Sequence, residues 1–295
     1  MTRPLLLVRN LSKSFRRPGP WRMSGDAAAA VIDVSFDVEA GQTFGIVGAS
    51  GSGKTTLLRL LAQLIEADTG TIAFAGTDLR ALSGPELGLA RRRFQIVGQD
   101  PASAFDPRIR VGAAIAAVLR LHRMRRPHLI VSRVTELLVQ VGLSSDLQDR
   151  YPHEVSGGQL QRMAIAQALA VEPDLLLLDE MASALDASVK AGVLGLLQDL
   201  QRSLGTTYVF ISHDIRDVYR MADTLGVMAA GRLVEQGPKQ GIFDDPQHAH
   251  TKSLLDAAIG QERKAGGDPD TTWKAPLSAK ALLRLQVMSK VAPGP

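Results

Sequence analysis

The chain has 295 residues, enough for one large domain or two modest ones, since a domain usually holds about 100 to 200 residues. Hydrophobic residues make up 45% and charged residues 22%, which is typical of a folded globular protein and excludes a disordered, collagen-like or coiled-coil chain. The net charge of +4 and the aromatic content of 4% are too small to indicate a nucleic-acid-binding surface.

The sequence contains no cysteine, which excludes disulfide bonds, thiolate metal sites and a cysteine nucleophile. Any metal chemistry must therefore use oxygen or histidine ligands. No stretch reaches the roughly 20 apolar residues of a membrane-spanning helix, and the N-terminus lacks the pattern of a secretory signal. We expect the protein to stay in the cytosol.

The N-terminal part of the sequence predicts strands and one helix. Residues 4–8 and 31–38 carry alternating apolar and β-branched residues on either side of a loop rich in Pro, Gly and Arg, which predicts an antiparallel β segment. A third strand over 43–47 leads through a glycine-rich turn into a helical pattern over 54–65. This order of strand, loop and helix is typical of a nucleotide-binding α/β unit.

The middle of the sequence becomes helical between residues 79 and 160, with apolar residues at three- and four-residue spacing over 111–121 and 131–141. Two short apolar runs at 175–178 and 208–211 then predict buried parallel strands on either side of a helical stretch. Further along follow a helical segment near 251–259, a polar linker over 260–274 and a basic tail with helical spacing over 277–291.

Residues 48–55 read Gly-Ala-Ser-Gly-Ser-Gly-Lys-Thr and fit the phosphate-binding pattern G-x-x-x-x-G-K-[ST]. Glycines let successive backbone N–H groups point at phosphate oxygens, and the helix N-terminus that follows adds a favourable dipole. Lys54 would reach the β- and γ-phosphates, and Thr55 would ligate Mg²⁺. The residues predicted to bind the nucleotide here are Gly48, Ala49, Ser50, Gly51, Ser52, Gly53, Lys54, Thr55 and Thr56.

Two carboxylates, Asp179 and Glu180, directly follow the apolar run at 175–178. A strand end of this kind lies at the carboxyl edge of a parallel sheet, beside the phosphate loop. Asp179 can hold Mg²⁺ through water, and Glu180 can polarise the attacking water as a general base. Together with the loop, these residues predict a P-loop nucleotide hydrolase.

The segment Val155-Ser156-Gly157-Gly158-Gln159 resembles the signature motif of ATP-binding-cassette (ABC) ATPases. Its serine and glycines open a predicted helix and are suited to hold a γ-phosphate by backbone N–H and hydroxyl donors. The resemblance covers roughly residues 5–258 and continues in the family's order. Gln99 matches the glutamine loop of the family, Ser183-Ala184-Leu185-Asp186 matches its D-loop, and His213 matches its switch histidine.

The resemblance implies a role for each of these residues. His213 would contact the γ-phosphate and position the water together with Glu180, and Phe15 aligns with the aromatic residue that stacks on adenine, with Trp21 as its rival. The catalytic residues would be Glu180, His213, Gln99 and Lys54. Mg²⁺ would be held by Thr55, Gln99 and Asp179. The remaining ATP contacts would come from Ser156, Gly157, Gly158, Gln159 and Asp186.

The resemblance also implies two subunits in head-to-tail arrangement. ATP bound to the phosphate loop of one subunit would be completed by Ser156 and Gly158 of the other, so a single subunit would be nearly inactive. ATP would close this dimer and hydrolysis would reopen it.

Three longer segments, residues 99–108, 151–154 and 246–251, look like the oligopeptide, dipeptide and nickel importer ATPases. This implies a peripheral subunit at the cytoplasmic face of the bacterial cell membrane that couples ATP hydrolysis to peptide uptake. Its partners would be two transmembrane permeases, a second and different ATPase chain, and indirectly an extracytoplasmic solute-binding protein. No nucleic-acid partner is expected, and the transported solute cannot be deduced from this chain.

Other functions remain open at this point. The chain could serve nickel or metallophore import, or be an accessory ATPase of a phosphonate-cleaving carbon-phosphorus lyase complex. A soluble cassette ATPase of translation or DNA repair would usually carry two cassettes or a long coiled-coil insert. A small-molecule P-loop kinase would need neither the signature segment nor Asp186.

The predicted architecture is an α/β P-loop ATPase core of the ABC type with an antiparallel β segment and a helical signature subdomain. Its sheet is mixed or parallel, with helices on both faces. We predict that residues 1–86 and 161–240 form the RecA-like ATP-binding core and that 87–160 form a helical insert with the signature motif. Residues 241–295 would be a C-terminal extension and tail.

Overall fold

A computed structural model describes residues 3–16, 27–181, 183 and 185–264. The strands in this part of the chain are β1 (Leu6–Arg16), β2 (Ala27–Val38), β3 (Thr43–Val47), β4 (Thr69–Phe74), β5 (Thr77–Asp78), β6 (Phe94–Val97), β7 (Leu175–Asp179), β8 (Thr207–Ser212), β9 (Thr224–Ala229) and β10 (Arg232–Pro238). The α-helices there are α1 (Lys54–Leu61), α2 (Gly84–Arg93), α3 (Val111–Leu121), α4 (Ile130–Gln140), α5 (Gly157–Leu169), α6 (Ala187–Leu204), α7 (Ile215–Met221), α8 (Lys239–Asp244) and α9 (Ala249–Lys264).

The strands form two sheets. A four-stranded antiparallel sheet has the order β2-β1-β4-β5, and a six-stranded sheet has the order β10-β9-β3-β8-β7-β6. In the larger sheet, β9, β3, β8, β7 and β6 are parallel, and β10 runs antiparallel to β9 at the edge. The antiparallel segment and the mixed α/β core predicted from the sequence are therefore confirmed.

Alternating side chains of the larger sheet pack into two different cores. Leu175 and Leu177 face the core shared with α1 and the antiparallel sheet, whereas Leu176 and Leu178 face the core formed with the helices from α3 to α7. Successive side chains on a strand point to opposite faces, so this sheet is covered on both sides. Burial on both faces explains why its strands are nearly continuous apolar runs.

The helical region is built mainly from α3, α4 and α5, which pack on one another. Ile115 and Leu119 on α3 and Leu137 and Leu138 on α4 are fully buried. These residues recur at the spacing that places apolar side chains on one face of a helix. The helix predicted over 111–121 has the same bounds in the structure.

Strand β6 lies inside the range 87–160, which the sequence assigns to a helical insert with the signature motif. It pairs in parallel with β7 in the core sheet. Its four residues directly follow the arginines that end α2, and so short a run gives no detectable period of two. The domain boundaries at 86, 160 and 240 stay a prediction.

The C-terminal helix α9 is longer than the predicted segment over 251–259. It continues through residues 260–264, which the sequence assigns to a polar linker. Gln, Glu, Arg and Lys at 261–264 are good helix formers, so a hydrophilic composition there does not end the helix. The rest of that linker and the tail over 277–291 lie outside the described residues. Among the described residues, no helix has both the length and the apolarity needed to cross a membrane.

Candidate active site

Four neighbouring parallel strands end at one edge of the six-stranded sheet, and each leads directly into a predicted site segment. The phosphate loop follows β3, Asp179 ends β7, His213 follows β8, and Gln99 comes two residues after β6. The carboxyl ends of parallel strands meet at one edge, where α/β proteins bind their ligands. The strand order thus brings together segments that are far apart in the sequence.

The phosphate loop is held by close backbone contacts. Gly53 has φ +104°, and a Cβ atom on it would lie 2.1 Å from the carbonyl oxygen of Ala30 on β2. Only glycine combines this left-handed conformation with so close a neighbour. Helix α1 begins directly afterwards, and no side chain caps its first N–H groups. Such uncapped donors at a helix N-terminus are a ready anion-binding site.

Lys54 is the buried cation of the loop, with 4% of its surface exposed. Its Nζ donates to the carbonyl oxygens of Gly48 at 2.8 Å and Ala49 at 3.0 Å. It also lies 3.5 Å from Oε1 of Glu180. The ammonium group is therefore fixed at the loop and beside the predicted general base.

Glu180 joins Lys54 to the predicted switch histidine. Its Oε2 lies 3.2 Å from Nδ1 of His213, whose side chain is 54% exposed. Glu180 has φ +44°, which is unusual for a residue with a side chain and costs about 1 kcal/mol or more. Its backbone N–H donates to the carbonyl of Ile211 at 3.0 Å and secures this conformation. Three predicted catalytic residues are thus brought into one chain of contacts.

Asp179 carries a buried carboxylate oxygen, Oδ1, without a hydrogen-bond partner among the described residues. Burial raises the pKa of this carboxyl and the charge of Glu180 raises it further, while Thr55, Lys54 and Arg59 act in the opposite direction. An unpartnered carboxylate oxygen next to a threonine hydroxyl fits a hard cation such as Mg²⁺, which uses one or two carboxylates and completes its shell with water and substrate phosphates. The described residues contain no cluster of three or more acidic, histidine or cysteine groups for a metal held by protein alone.

Gln99 is exposed and contacts the segment that follows Glu180. Its Nε2 donates to Oγ of Ser183 at 3.4 Å. The side chain predicted to ligate Mg²⁺ thus binds a residue of the matched D-loop, and no hydrogen bond joins it to Asp179 or Thr55 within the described residues.

Phe15 is placed near the phosphate loop by the antiparallel sheet. It pairs with Ala28 on β2, two residues before the Ala30 carbonyl that adjoins Gly53. The ring is 43% exposed, and Nζ of Lys13 lies 5.8 Å from its centroid. An exposed ring beside the loop is available for stacking on a flat ligand. Trp21, the rival candidate, lies outside the described residues.

The signature segment forms the start of α5. Ser156 Oγ accepts from the N–H of Gln159 at 3.3 Å, and Gln159 Oε1 accepts from the N–H of Ser156 at 2.9 Å, which is a capping box. Ser156 and Gly157 are exposed. No hydrogen bond within the described chain connects residues 156–159 to the phosphate loop or to Glu180, so this part of the predicted site is not brought to the rest.

Asp186 and Gly158 connect the signature helix to α6. Asp186 caps α6, and hydrogen bonds from Val189 N–H and from the Ser188 side chain lower the pKa of its carboxyl. Gly158 lies against the same turn, since a Cβ atom on it would be 2.4 Å from Cγ1 of Val189. The signature therefore packs against the first turn of α6, directly after the matched D-loop.

The sequence did not identify a partly buried ion cluster next to His213, made by Lys190, Asp214, Arg216 and Asp217. Lys190 lies on α6 and the other three residues lie at the start of α7. Charged residues scattered over two predicted helices give no local pattern, and only the tertiary fold pairs them. The one available signal is the density of charge directly after His213.

The glycine loop, its buried lysine and the carboxylates at the neighbouring strand ends define a P-loop nucleotide-binding protein. Residues 31–183 match the family model described as ABC transporter. The chain is 43% identical over 263 residues to the probable peptide ABC transporter ATP-binding protein y4tS of Sinorhizobium fredii, an alignment that covers 88% of this chain and 73% of that protein. The chain belongs to the ABC transporter family, and the resemblance inferred from its motifs is confirmed.

A second relative is the glutathione import ATP-binding protein GsiA of Salmonella paratyphi A. It is 43% identical over 255 residues, which cover 86% of this chain, and the chain spans 41% of the length of that relative. Among solved structures, the fold is similar to a dimeric post-hydrolysis state of the ATP-binding cassette MJ0796 bound to ADP and Pi. That similarity has a TM-score of 0.70 and 25% identity, and it covers 79% of this chain and 98% of the other.

Proposed function

We propose that this chain is the ATP-hydrolysing subunit of a bacterial ABC importer for peptides. The observation that carries the proposal is the placement of Glu180 between Lys54 and His213 at the end of the phosphate loop. Family membership supports ATP as the nucleotide, and the names of two relatives, a peptide transporter subunit and a glutathione importer subunit, support peptides as the solute class. Glutathione is itself a small peptide.

ATP would bind with its phosphates at the N-terminus of α1. The backbone N–H groups of residues 48–55 would surround the phosphate oxygens, and Lys54 would neutralise charge on the β- and γ-phosphates. Phe15 would stack on the adenine ring. Mg²⁺ held by Thr55, Asp179 and Gln99 would supply further charge neutralisation when bound, and the buried unpartnered Oδ1 of Asp179 supports this assignment.

Hydrolysis would use Glu180 as the general base. Water in line with the γ-phosphorus would donate a hydrogen bond to Glu180, and its oxygen would bond to phosphorus as the bond to the β–γ bridging oxygen breaks. The water proton would pass to Glu180, and ADP would leave with the bridging oxygen. His213, 3.2 Å from Glu180, would hold the γ-phosphate and keep the carboxylate aimed at the water.

The second half of each ATP site would come from another cassette. Ser156 and Gly157 are exposed and satisfied by their own helix cap, so they can meet a nucleotide bound elsewhere. The dimeric state of the similar cassette MJ0796 with ADP and Pi supports this arrangement. We propose a second, different ATPase chain as partner, two permeases that hold both at the cytoplasmic face of the membrane, and an extracytoplasmic binding protein that delivers the solute.

The test is purification of the tagged protein from membranes, with partners identified by mass spectrometry and ATP turnover measured for the wild type and Glu180→Gln. We expect permeases and a second cassette to co-purify, and Glu180→Gln to lower turnover by at least ~10²-fold because the general base is lost. Glu66→Gln, at an exposed position after α1, is the matched control and should retain full turnover. Recovery in soluble complexes alone would contradict the transport role, and turnover in Glu180→Gln would contradict the catalytic assignment.

A further inference from the structure

The partly buried ion cluster next to His213 ties two helices together. Nζ of Lys190 on α6 lies 2.6 Å from Oδ2 of Asp217 and 3.4 Å from Oδ2 of Asp214. The three side chains are between 11% and 22% exposed, so water screens these contacts only weakly. A lysine on one helix is thus bound by two carboxylates that belong to the segment after His213.

The carboxylate of Asp214 is fixed from the other side by Arg216. The guanidinium donates through Nε at 2.9 Å to Oδ1 and through Nη2 at 2.7 Å to Oδ2. Burial raises the pKa of Asp214, but the hydrogen bonds of the Arg216 side chain and backbone outweigh it and lower that pKa to about 2. Asp214 therefore stays ionised and keeps its hold on Lys190.

The same cluster fixes the backbone on both sides of His213. Asp214 N–H donates to Oγ of Ser212 at 3.0 Å, and this hydroxyl is 3.4 Å from Oδ2 of Asp217. His213 itself is exposed, and its one hydrogen-bonding contact among the described residues is the one to Glu180. The position of the imidazole therefore depends on the backbone on either side of His213 and on its contact with Glu180.

We propose that Lys190 is a positioning residue that holds His213 against Glu180 by binding Asp214 and Asp217. The inference rests on the proposed ATPase function. Lys190 lies one turn after Asp186, and its backbone N–H donates to the Asp186 carbonyl at 2.9 Å. The start of α6 carries Asp186 and the contact with Gly158. If this end of the helix moves, the Lys190 side chain would move Asp214 and Asp217, and with them His213.

Lys190 is not required to keep α6 in place. Val193, Leu194, Leu197 and Leu200 on the same helix are almost fully buried in the core, and they anchor it by apolar contacts. Helix α7 is anchored by the buried side chains of Ile215, Val218 and Met221, but His213 and Asp214 precede it, and the Asp214 side chain is held by Lys190 and Arg216. We therefore expect removal of the lysine charge to loosen the turn that carries His213 before it displaces α6.

The test measures ATP turnover and ATP affinity of the complete membrane-purified assembly carrying Lys190→Gln. We expect kcat to fall about tenfold or more because the histidine and the base lose their alignment, while ATP affinity stays within about twofold of the wild type. Lys190→Arg keeps the charge and should recover most of the turnover. Arg202→Gln is the matched control, since Arg202 lies on the same helix in an exposed pair with Asp199 and should leave kcat unchanged.

A His213→Ala background separates positioning from a general structural role. If Lys190 acts through His213, Lys190→Gln lowers kcat no further in that background. An equal loss in both backgrounds would show a structural role and overturn the inference. Full turnover of Lys190→Gln, in an assembly that loses its turnover in Glu180→Gln, would also overturn the inference. If turnover does not depend on Glu180 at all, both the proposed function and the inference are overturned.

Hydrogen exchange of the nucleotide-free chain supplies a readout that does not need turnover. Backbone amides of residues 212–221 should exchange severalfold faster in Lys190→Gln than in the wild type or in Arg202→Gln, because the cluster that restrains this segment is lost. Unchanged exchange in this segment would contradict the inference.

Discussion

The hydrolytic centre and the signature segment are stabilised in different ways. Lys54 at the start of α1, Glu180 after β7 and His213 after β8 come from separate segments, and Glu180 contacts the other two directly. The polar groups of Ser156 and Gln159 instead satisfy each other within one helical turn. The first region depends on tertiary structure for its geometry, and the second is a local unit presented at the surface.

In the proposed pair of chains, this difference would divide the work between the two subunits. The charges that are costly to desolvate lie in the strand-end cluster, where the fold holds them in place. The signature would contribute a helix start with exposed donors, which could approach and leave a nucleotide without rearranging its own chain. In the proposed head-to-tail pair, the phosphate loop of each chain would meet the signature segment of the other, so both surfaces would be used twice, as in an interface with two-fold or pseudo-two-fold symmetry.

The largest effect should come from breaking the hydrolytic centre at Gly53. The Cβ atom of Gly53→Ala would lie 2.1 Å from the Ala30 carbonyl oxygen in a left-handed backbone, so the loop must move. We expect ATP affinity to fall by about 3 kcal/mol or more, roughly 10²-fold, when it is measured by calorimetry on the Glu180→Gln chain. The α5 cap should be unaffected.

Gly51→Ala is the control for this substitution. Gly51 also has a positive φ, of +78°, but a Cβ atom there meets no atom within 4 Å. Gly51→Ala should therefore cost only the backbone strain of about 1 to 2 kcal/mol. Equal losses of affinity in the two variants would show that strain, and not the contact with β2, sets the loop geometry.

A smaller effect is expected at the contact that joins the signature to α6. Gly158→Ala would place a Cβ atom 2.4 Å from Cγ1 of Val189, an overpacking of about 1 to 3 kcal/mol that pushes the start of α5 outward. Turnover of the assembly should fall about tenfold, whereas ATP affinity of the single chain should not change, because the phosphate loop is untouched.

The second-site change Val189→Ala removes the colliding methyl group and should restore turnover to Gly158→Ala. Val189→Ala alone is the matched control and should cost little, because Val189 is only partly buried. If the double variant stays as inactive as Gly158→Ala, the glycine is needed for contact with the nucleotide and not for packing on α6.

The sequence predicts best what is local. The bounds of β3 and α3 agree with the predicted 43–47 and 111–121, since one is a buried apolar run and the other a strongly periodic helix. The phosphate loop and the Asp179-Glu180 strand end are likewise contiguous motifs. Their meeting at one sheet edge follows from the parallel order of the strands.

What the sequence does not predict is set by distant contacts. The strand β6 is too short to show a period, yet it pairs with β7 and so carries Gln99 to the site. The left-handed φ of Glu180 and the pairing of Lys190 on α6 with Asp217 on α7 arise only when β7, β8 and these two helices are packed together. No short pattern encodes a contact between separate elements.

The smallest expected effect is on the Tm of the nucleotide-free chain. Removing a polar group should raise Tm in the hydrolytic centre and lower it in the signature segment. Burial raises the pKa of Asp179, so its charge is unfavourable at neutral pH, and Asp179→Asn should raise Tm by a few degrees. Ser156→Ala should lower Tm, because loss of an N-cap costs about 1 kcal/mol.

The pH dependence follows from the direction of the Asp179 shift. A carboxyl whose folded-state pKa is raised is favourable to folding only while it is protonated, and that contribution is lost as the pH rises through the folded-state pKa. The advantage of Asp179→Asn should therefore be full at pH 7 and shrink toward zero in acid. Asp214→Asn is the control, since the hydrogen bonds of Arg216 outweigh burial and lower the pKa of Asp214 to about 2. Its ionised form is therefore favourable to folding at neutral pH, so Asp214→Asn should lower Tm at pH 7 and have less effect in acid. A gain in Tm from Asp214→Asn at pH 7, or none from Asp179→Asn in calorimetric scans across this pH range, would contradict the opposite directions of the two pKa shifts.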